Sequence, residues 1–551
     1  MKHVLPFFLI LAVLTGCSSD TPNTDEAMNS ITKEDIAEDI KVLASDEFLG
    51  RQPSGPGEEK TINYLENEFK KIGLKPGNKN SFFQQVPLME VITETPAVIN
   101  IRGNGSETSL KHASEYVITS SQLRKEIDVS NAELVFAGYG IVASEHNWND
   151  YEGADIKDKI AVVLVNDPGF ATKDSSLFTG NTMTYYGRWS YKYEEAARQG
   201  AAGVLIVHET EPASYPWEVV RNGWTGPQFY LIPQDSNLLN CEIEGWINIQ
   251  KAGEIFAQAG LNFEQLKTAA AKPGFKAVPM NLTLSINLKN DFMESVSNNV
   301  LAVWEGSERS DEFIIYTAHW DHYGMDSSLA GEDKIYNGAV DNATGTAALL
   351  EIAEAFTKLP ERPKRSVLFL AVTAEEQGLL GSEFYARHPV YPLNKTVAVI
   401  NMDAMNVFGS VNDITVIGYG NSELDDYIKS SADELNRIVK PDPEPQRGSY
   451  YRSDHFSFAK YGVPALYAKG GVEHIEKGEK WMREKRNEWT EKYYHKPGDE
   501  YDPSWWDLSG MVDDIKLLFN TGLKLAMDDK FPNWRDGNEF KSERDEMMSA
   551  K

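Results

Sequence analysis

The chain has 551 residues, with 54 basic and 83 acidic side chains and a formal charge of −29. At 41% apolar and 25% charged residues the composition is globular, neither disordered nor fibrous, and at roughly 100–200 residues per domain the length fits two to four domains. The acidic excess works against nucleic acid or an anionic membrane face as a partner of the bulk surface, and it supplies carboxylates that hold cations.

Residues 1–17 read as a leader. A short basic start precedes the apolar run Val4–Val13, the length of a secretory segment and too short to span a bilayer. Leu14-Thr-Gly-Cys17 then resembles the bacterial lipobox, which implies lipidation at Cys17 and an exported lipoprotein on the periplasmic face or cell surface, held to the membrane by that anchor alone. Residues 18–30 read as a polar tether. The only other cysteine, Cys241, has no intrachain partner left and reads as a small packed residue.

Apolar spacing predicts helices over Ile31–Leu43 and Gly57–Ile72, the second closed by Gly73, Pro76 and Gly77. A β-rich stretch follows through Ala97–Ile101, and residues 31–131 are taken as the N-terminal part of the catalytic domain. Glu133–Ile141 is a strand with a glycine turn, and Lys159–Val165 is a buried strand. Tyr191–Gln199 is helical, and Gly200–Val207 is a strand entered through glycine. This order resembles the protease-associated domain, which implies a smaller α/β insert over residues 132–279.

From residue 280 to about 530 the texture changes again. Val300–Trp304, Phe313–Ala318, Val367–Val372 and Val397–Met402 are short runs rich in Val, Ile and Phe, with helical patterns at Thr344–Leu359 and Gly378–His388. The expected fold is α/β, with a mixed, mainly parallel central sheet and helices on both faces. Residues 531–551 read as a polar, frayed tail. The Lys-, Arg- and Trp-rich segment 473–496 reads as a solvated helix or a flap over substrate.

Four polar clusters lie at the ends of these runs: His319-Trp-Asp321-His322, Asn337-Gly-Ala-Val-Asp341-Asn-Ala-Thr-Gly345, Ala374-Glu375-Glu376 and Asn401-Met-Asp403. In open α/β sheets the carboxyl ends of strands form the ligand crevice. Four carboxylates converging there would repel one another and raise their pKa values strongly, and a bound dication removes that conflict. Histidine nitrogen with carboxylate oxygen is a zinc-type donor set, open also to manganese or cobalt. His319, Asp341, Glu376, Asp403 and one further histidine suffice for two metals with one shared carboxylate. The further histidine is His495, in Tyr494-His-Lys-Pro-Gly-Asp499, with His455 and His474 as alternatives in the same region.

Taken in order, these motifs resemble those of the M28 metallopeptidases, and Asp46-Glu-Phe-Leu-Gly-Arg51-Gln resembles what precedes that domain in many members. The resemblance implies a two-zinc aminopeptidase acting on peptides. In it Asp341 bridges both metals, His319 and Asp403 complete one site, and Glu376 and His495 complete the other. Glu375 is the general base, and Asp321 orients His319 through its other ring nitrogen. A strained peptide is implied after Asp341. His322 is taken as no ligand. Tyr450, Tyr451, Asp454 and His455 are placed near the substrate pocket.

Three rival readings remain. Carboxypeptidase action would need a cationic clamp for a free carboxylate, for which Arg447 and Arg452 are candidates. Glutaminyl cyclisation on the same fold typically uses one zinc, against the two-metal donor set. A non-catalytic binding protein would have lost ligands that this chain keeps.

Overall fold

The computed structural model describes residues 24–233 and 240–549. The leader, Cys17 and the first part of the tether lie outside the described residues. The end of the tether region is helical: α1 (Asp25–Ser30) buries Ala27 and precedes α2 (Lys33–Leu43), whose cap is the Thr32 hydroxyl accepting from Asp35 N. Helix α3 (Glu58–Ile72) buries Leu65 and Phe69 and ends at Gly73 in the left-handed conformation. Chain order then runs through β1 (Phe83–Glu94), β2 (Glu126–Phe136), β3 (Ile160–Leu164), α4 (Trp189–Arg198), β4 (Gly203–His208) and β5 (Ile243–Asn248). Next come β6 (Val278–Trp304), β7 (Arg309–His319), α5 (Thr344–Thr357), β8 (Arg365–Val372), β9 (Thr396–Asn401), β10 (Asp413–Ile417), β11 (Ile438–Pro441) and β12 (Ala465–Gly470). Helices α6 (Gly478–Lys492), α7 (Ser509–Met527) and α8 (Lys541–Ser549) end the chain.

The central sheet has the order β11–β10–β12–β9–β7–β8–β6–β1. Strands β12, β9, β7 and β8 are mutually parallel, and β6 and β1 continue the sheet antiparallel. Alternate residues serve opposite faces. Ile314, Tyr316 and Ala318 enter a core with α2, α3, α5 and α7, whereas Phe313 and Ile315 face Tyr385 and Phe458 on the other side. Strand β8 is buried at every position, as a parallel strand covered on both faces must be. The expected mixed, mainly parallel α/β fold is the observed one.

In the insert, β2, β3, β4 and β5 are parallel in that order, over an apolar core that includes Leu134, Phe136, Val162 and Leu205 and continues into Tyr451, Phe456 and Tyr467 outside the insert. Its join to the central sheet is not a linker. Strand β6 is 27 residues long. Its first half pairs with β2, its second half with β1, and its last residues with β8. The boundary placed at residue 279 falls near the start of this strand, and the one placed at 132 is too late: Ile99, Leu110, Tyr116 and Ile118 already belong to the insert core, and Tyr116–Thr119 pairs with β5.

The C-terminal stretch is not frayed. Trp534, Phe540 and Arg544 are buried, and Glu539 accepts from Tyr185 N and Tyr451 Oη. The tail thereby ties the insert, through Tyr185, to Tyr451 on the side of the central sheet. Segment 473–496 is mostly α6, a solvated helix with Met482 as its one buried residue. Among the described residues no helix is long and apolar enough to cross a membrane.

Candidate metal centre

The carboxyl ends of β7, β8 and β9 meet in one crevice. His319 is the last residue of β7, Glu375 and Glu376 follow β8, and Asp403 follows β9. Asp341 enters from the loop before α5. There Gly338 takes φ 54°, and a Cβ on it would meet the Asp341 carbonyl at 2.4 Å, so only glycine brings the loop this close. His495 arrives from the turn after α6.

The geometry is two-centred. His319 Nε2 lies 3.2 Å from Asp341 Oδ1, 3.7 Å from Asp403 Oδ1 and 4.0 Å from Glu375 Oε2. His495 Nε2 lies 3.2 Å from Asp341 Oδ2 and 3.3 Å from Glu376 Oε2. Each oxygen of Asp341 therefore faces a different imidazole, and the five proposed ligands and Glu375 converge in one place.

A test of fit comes from His319. Its Nδ1 donates to the Asp321 carbonyl at 3.2 Å, and a carbonyl only accepts, so Nδ1 carries the hydrogen. In the neutral ring Nε2 then turns its lone pair on three carboxylates, and among the described residues it has no hydrogen-bond partner although it is fully buried. A lone pair aimed at anions needs a cation between them. The donor atoms of His319, Glu375 and Asp403, and those of His319, Asp341 and Glu376, lie within 4.8 Å of one another, close enough to share an ion.

The electrostatics agree. Burial opposes the charged form of His319, but Glu375, Asp341 and Asp403 outweigh it and hold the imidazole pKa well above the usual value, so without a cation a proton on Nε2 takes the place that a cation would fill. Burial also disfavours the charged Asp341 carboxylate, yet the two imidazoles hold its pKa well below the carboxylate range. Glu375 goes the other way. Burial, with Glu376 beside it, raises its pKa well above normal.

A ring of bonds orients these groups. Asp499, in the turn that carries His495, accepts from the N–H of Val340 and Asp341 at 3.1 Å. Asn342 donates to Met402 O and accepts from Gly345 N and Ala404 N, and the Asp341–Asn342 peptide is cis. Ser453 Oγ donates to Asp403 at 2.7 Å. His322 Nδ1 lies 2.5 Å from Glu376 Oε1, and Tyr323 Oη lies 3.1 Å from His495 Nδ1. Of these partners, His322 was read in the sequence only as a residue that is not a ligand. Asp499 belongs to a quoted motif, but only the fold reveals what it holds.

Four expectations need correction. Asp321 does meet His319 Nδ1, but through its carbonyl at 3.2 Å; its carboxylate, 3.8 Å from Nδ1, accepts instead from Glu375 N and Glu376 N. Tyr450 donates to Ala465 O and faces a different cavity. Asp454 and His455 are fully buried behind the site, His455 between the rings of Tyr450 and Tyr467. Arg447 is exposed and paired with Glu444. Tyr451 and Arg452 do line the crevice. His474 is absent from the cluster; its Nδ1 accepts from Glu476 N and Lys477 N.

The crevice opens into a cavity of about 670 Å³. One wall comes from the insert, through Arg188, Trp189 and Glu194, and the facing wall holds Arg452, Trp489 and Tyr494. Arg188 Nε is buried without a hydrogen bond. Burial and the nearby Arg452 charge pull the Arg188 pKa down to about 10, so both guanidinium groups are charged at neutral pH. Nothing in the local sequence marks Arg188; it reaches the site only because the insert folds over it.

Residues 299–519 match the sequence profile of Peptidase family M28. Aminopeptidase NAALADL1 of Mus musculus is 31% identical to the chain over 77% of it and 60% of the mouse protein. The probable glutamate carboxypeptidase AMP1 of Arabidopsis thaliana is 23% identical over 62% of the chain and 47% of its own length. The chain thus spans about half of the curated relatives it matches. Among solved structures, an aminopeptidase from Aneurinibacillus sp. strain AM-1 aligns over 92% of the chain and 97% of its own, at 18% identity and a TM-score of 0.48.

Proposed function

The chain carries a peptidase family M28 domain over residues 299–519, and from that premise we propose that it is a two-zinc exopeptidase that shortens peptides from the N-terminus outside the cytoplasm. The observation that carries this reading is the pair of imidazole nitrogens, each 3.2 Å from a different oxygen of Asp341. His319, Asp341 and Asp403 would hold one ion, and Asp341, Glu376 and His495 the other. When bound, the ions supply Lewis-acid polarisation of the scissile carbonyl and lower the pKa of water.

The chain's own groups do the rest. Glu375 Oε2, 4.0 Å from His319 Nε2, takes the proton of the attacking water and returns it to the departing amine nitrogen. Asp321 fixes the backbone of Glu375 and Glu376, so base and ligand keep their spacing. Tyr323, Tyr494 and Trp489 form an apolar flank that limits water at the reacting carbonyl. The insert, which resembles a protease-associated domain in its strand order, restricts substrates by closing one side of the cavity.

A second reading, carboxypeptidase action, is favoured by Arg188 and Arg452. Neither has a carboxylate partner among the described residues, and both line the cavity. One experiment separates the two. The zinc-loaded protein is incubated with a peptide library, and mass spectrometry records which end shortens. Loss of N-terminal residues, abolished by a chelator and restored by zinc, is the expected result. Shortening from the C-terminus selects the second reading, and no hydrolysis by a zinc-loaded chain overturns both. The exported, lipid-anchored location rests on Met1–Cys17. Intact mass of the membrane fraction should carry a lipid that Cys17→Ser removes.

A further inference from the structure

The turn Asp46–Arg51 lies far from the metal motifs in sequence and bears no ligand. Leu49, Gly50 and Arg51 all have positive φ, at 49°, 68° and 50°. A Cβ on Gly50 would meet Gly324 O at 2.3 Å and Tyr336 O at 2.7 Å. The turn is thus wedged between the loop that follows His319 and the loop that precedes Asp341. Its tip sends the Arg51 guanidinium, 1% exposed, between the same two loops.

Among the described residues Arg51 makes no carboxylate pair. Nε donates to Trp320 O at 2.8 Å, and Nη1 donates to Asn337 O at 2.6 Å and Leu43 O at 2.7 Å. Nη2 donates to Gly338 O at 2.8 Å. Its own carbonyl accepts from His322 N at 3.3 Å, and His322 holds Glu376. Asp46 Oδ1 accepts from Asn337 Nδ2 at 3.0 Å. One planar fork therefore touches the residue after His319 and the two residues that open the Asp341 loop. A lysine, with a compact point charge, cannot reproduce this geometry. Burial pulls the guanidinium pKa down to about 10, with Asp321, Asp499, Asp341 and Glu376 pulling the other way, so the group stays charged.

We propose that Arg51 is a positioning residue for the metal centre: it sets the spacing of the His319 and Asp341 loops, so that the N-terminal segment is part of the zinc site. The inference rests on the two-zinc reading above. It goes beyond packing, because a packing role alone would lower the stability of zinc-free and zinc-loaded protein alike.

The test uses the full chain, stripped with a chelator and titrated with zinc by calorimetry, with melting curves of both forms. Arg51→Lys should weaken zinc binding by about 10–100-fold and shrink the rise in Tm that zinc produces. Asp46→Ala, which removes only the Asn337 contact, should weaken binding by about 3–10-fold, below the 10–100-fold range for direct supporting contacts. If both variants bind zinc like the wild type, the proposal is overturned. If Arg51→Lys does not fold, Asp46→Ala decides alone. A wild-type chain that takes up no zinc overturns the two-zinc reading as well.

Discussion

Replacing Arg188 with methionine removes a charge from the cavity wall while keeping most of the side-chain bulk. The group belongs to the insert, its Nε is buried without a partner, and its guanidinium carbon lies 5.9 Å from the Trp189 ring centroid. Arg452 stands near a second ring, 5.9 Å from the centroid of Tyr215. A carboxylate about 4 Å from one guanidinium gains about 4 kcal/mol at an effective dielectric of about 20. Truncating one side of such a pair typically costs about 2–5 kcal/mol. Arg452 shares the load and the cavity is open to solvent, so we take the lower end, about 2–3 kcal/mol, or about 30–150-fold. The assay compares kcat/KM for a dipeptide and for its C-terminal amide at saturating zinc. Arg188→Met should lower the ratio of acid to amide by that factor, mostly through KM, and leave the amide nearly unchanged. An unchanged ratio would refute the view that the two guanidinium groups read a substrate carboxylate.

Other outcomes follow from the same geometry. Glu375→Gln should cut turnover by about 10²–10⁴-fold while zinc content by atomic emission stays at the wild-type level; loss of zinc instead would make Glu375 a ligand. Burial raises the Glu351 carboxyl pKa to about 8 from 4.5, despite the bond from Thr32 N. The folded state therefore holds more protons than the unfolded one between those values, so stability falls as pH rises from about 4.5 to about 8. Glu351→Gln should remove that fall, gaining about 1–3 kcal/mol relative to wild type at pH 8 over pH 5; parallel melting profiles would contradict it. Trp534→Ala removes a buried ring whose Nε1 donates to Gly462 O. It should cost about 3–5 kcal/mol in denaturant titrations, whereas a frayed tail would tolerate it.

The centre was legible because its donors follow apolar strands. A parallel strand announces itself as a short Val- and Ile-rich run, and the polar residue at its carboxyl end must face the crevice, so His319, Glu375, Glu376 and Asp403 declare their place. His495 was legible through its Pro-Gly turn. Side-chain direction inside short turns was not. Ser449–Tyr451 and His455–Lys460 are brief helical turns joined by the irregular bend 452–454, so no regular period separates Arg452, at the cavity, from Asp454 and His455, in the core. Nor was Arg188, whose role depends on a fold-level approach of two bodies. The tail was misread because its polar composition hides three widely spaced anchors, Trp534, Phe540 and Arg544.

Strand β6 has a consequence for how the molecule can be altered or move. Over residues 278–289 it alternates inward apolar and outward polar side chains against β2, with Leu282, Leu284, Ile286 and Leu288 turned inward. Excising residues 132–277 would remove the part of β2 that pairs with Val278–Leu284, and leave Leu282 and Leu284 on an uncovered edge, a template for self-association. The same continuous ribbon denies the two bodies a swivel. On the proposed reading, a peptide would enter a mouth whose roof and floor share one strand.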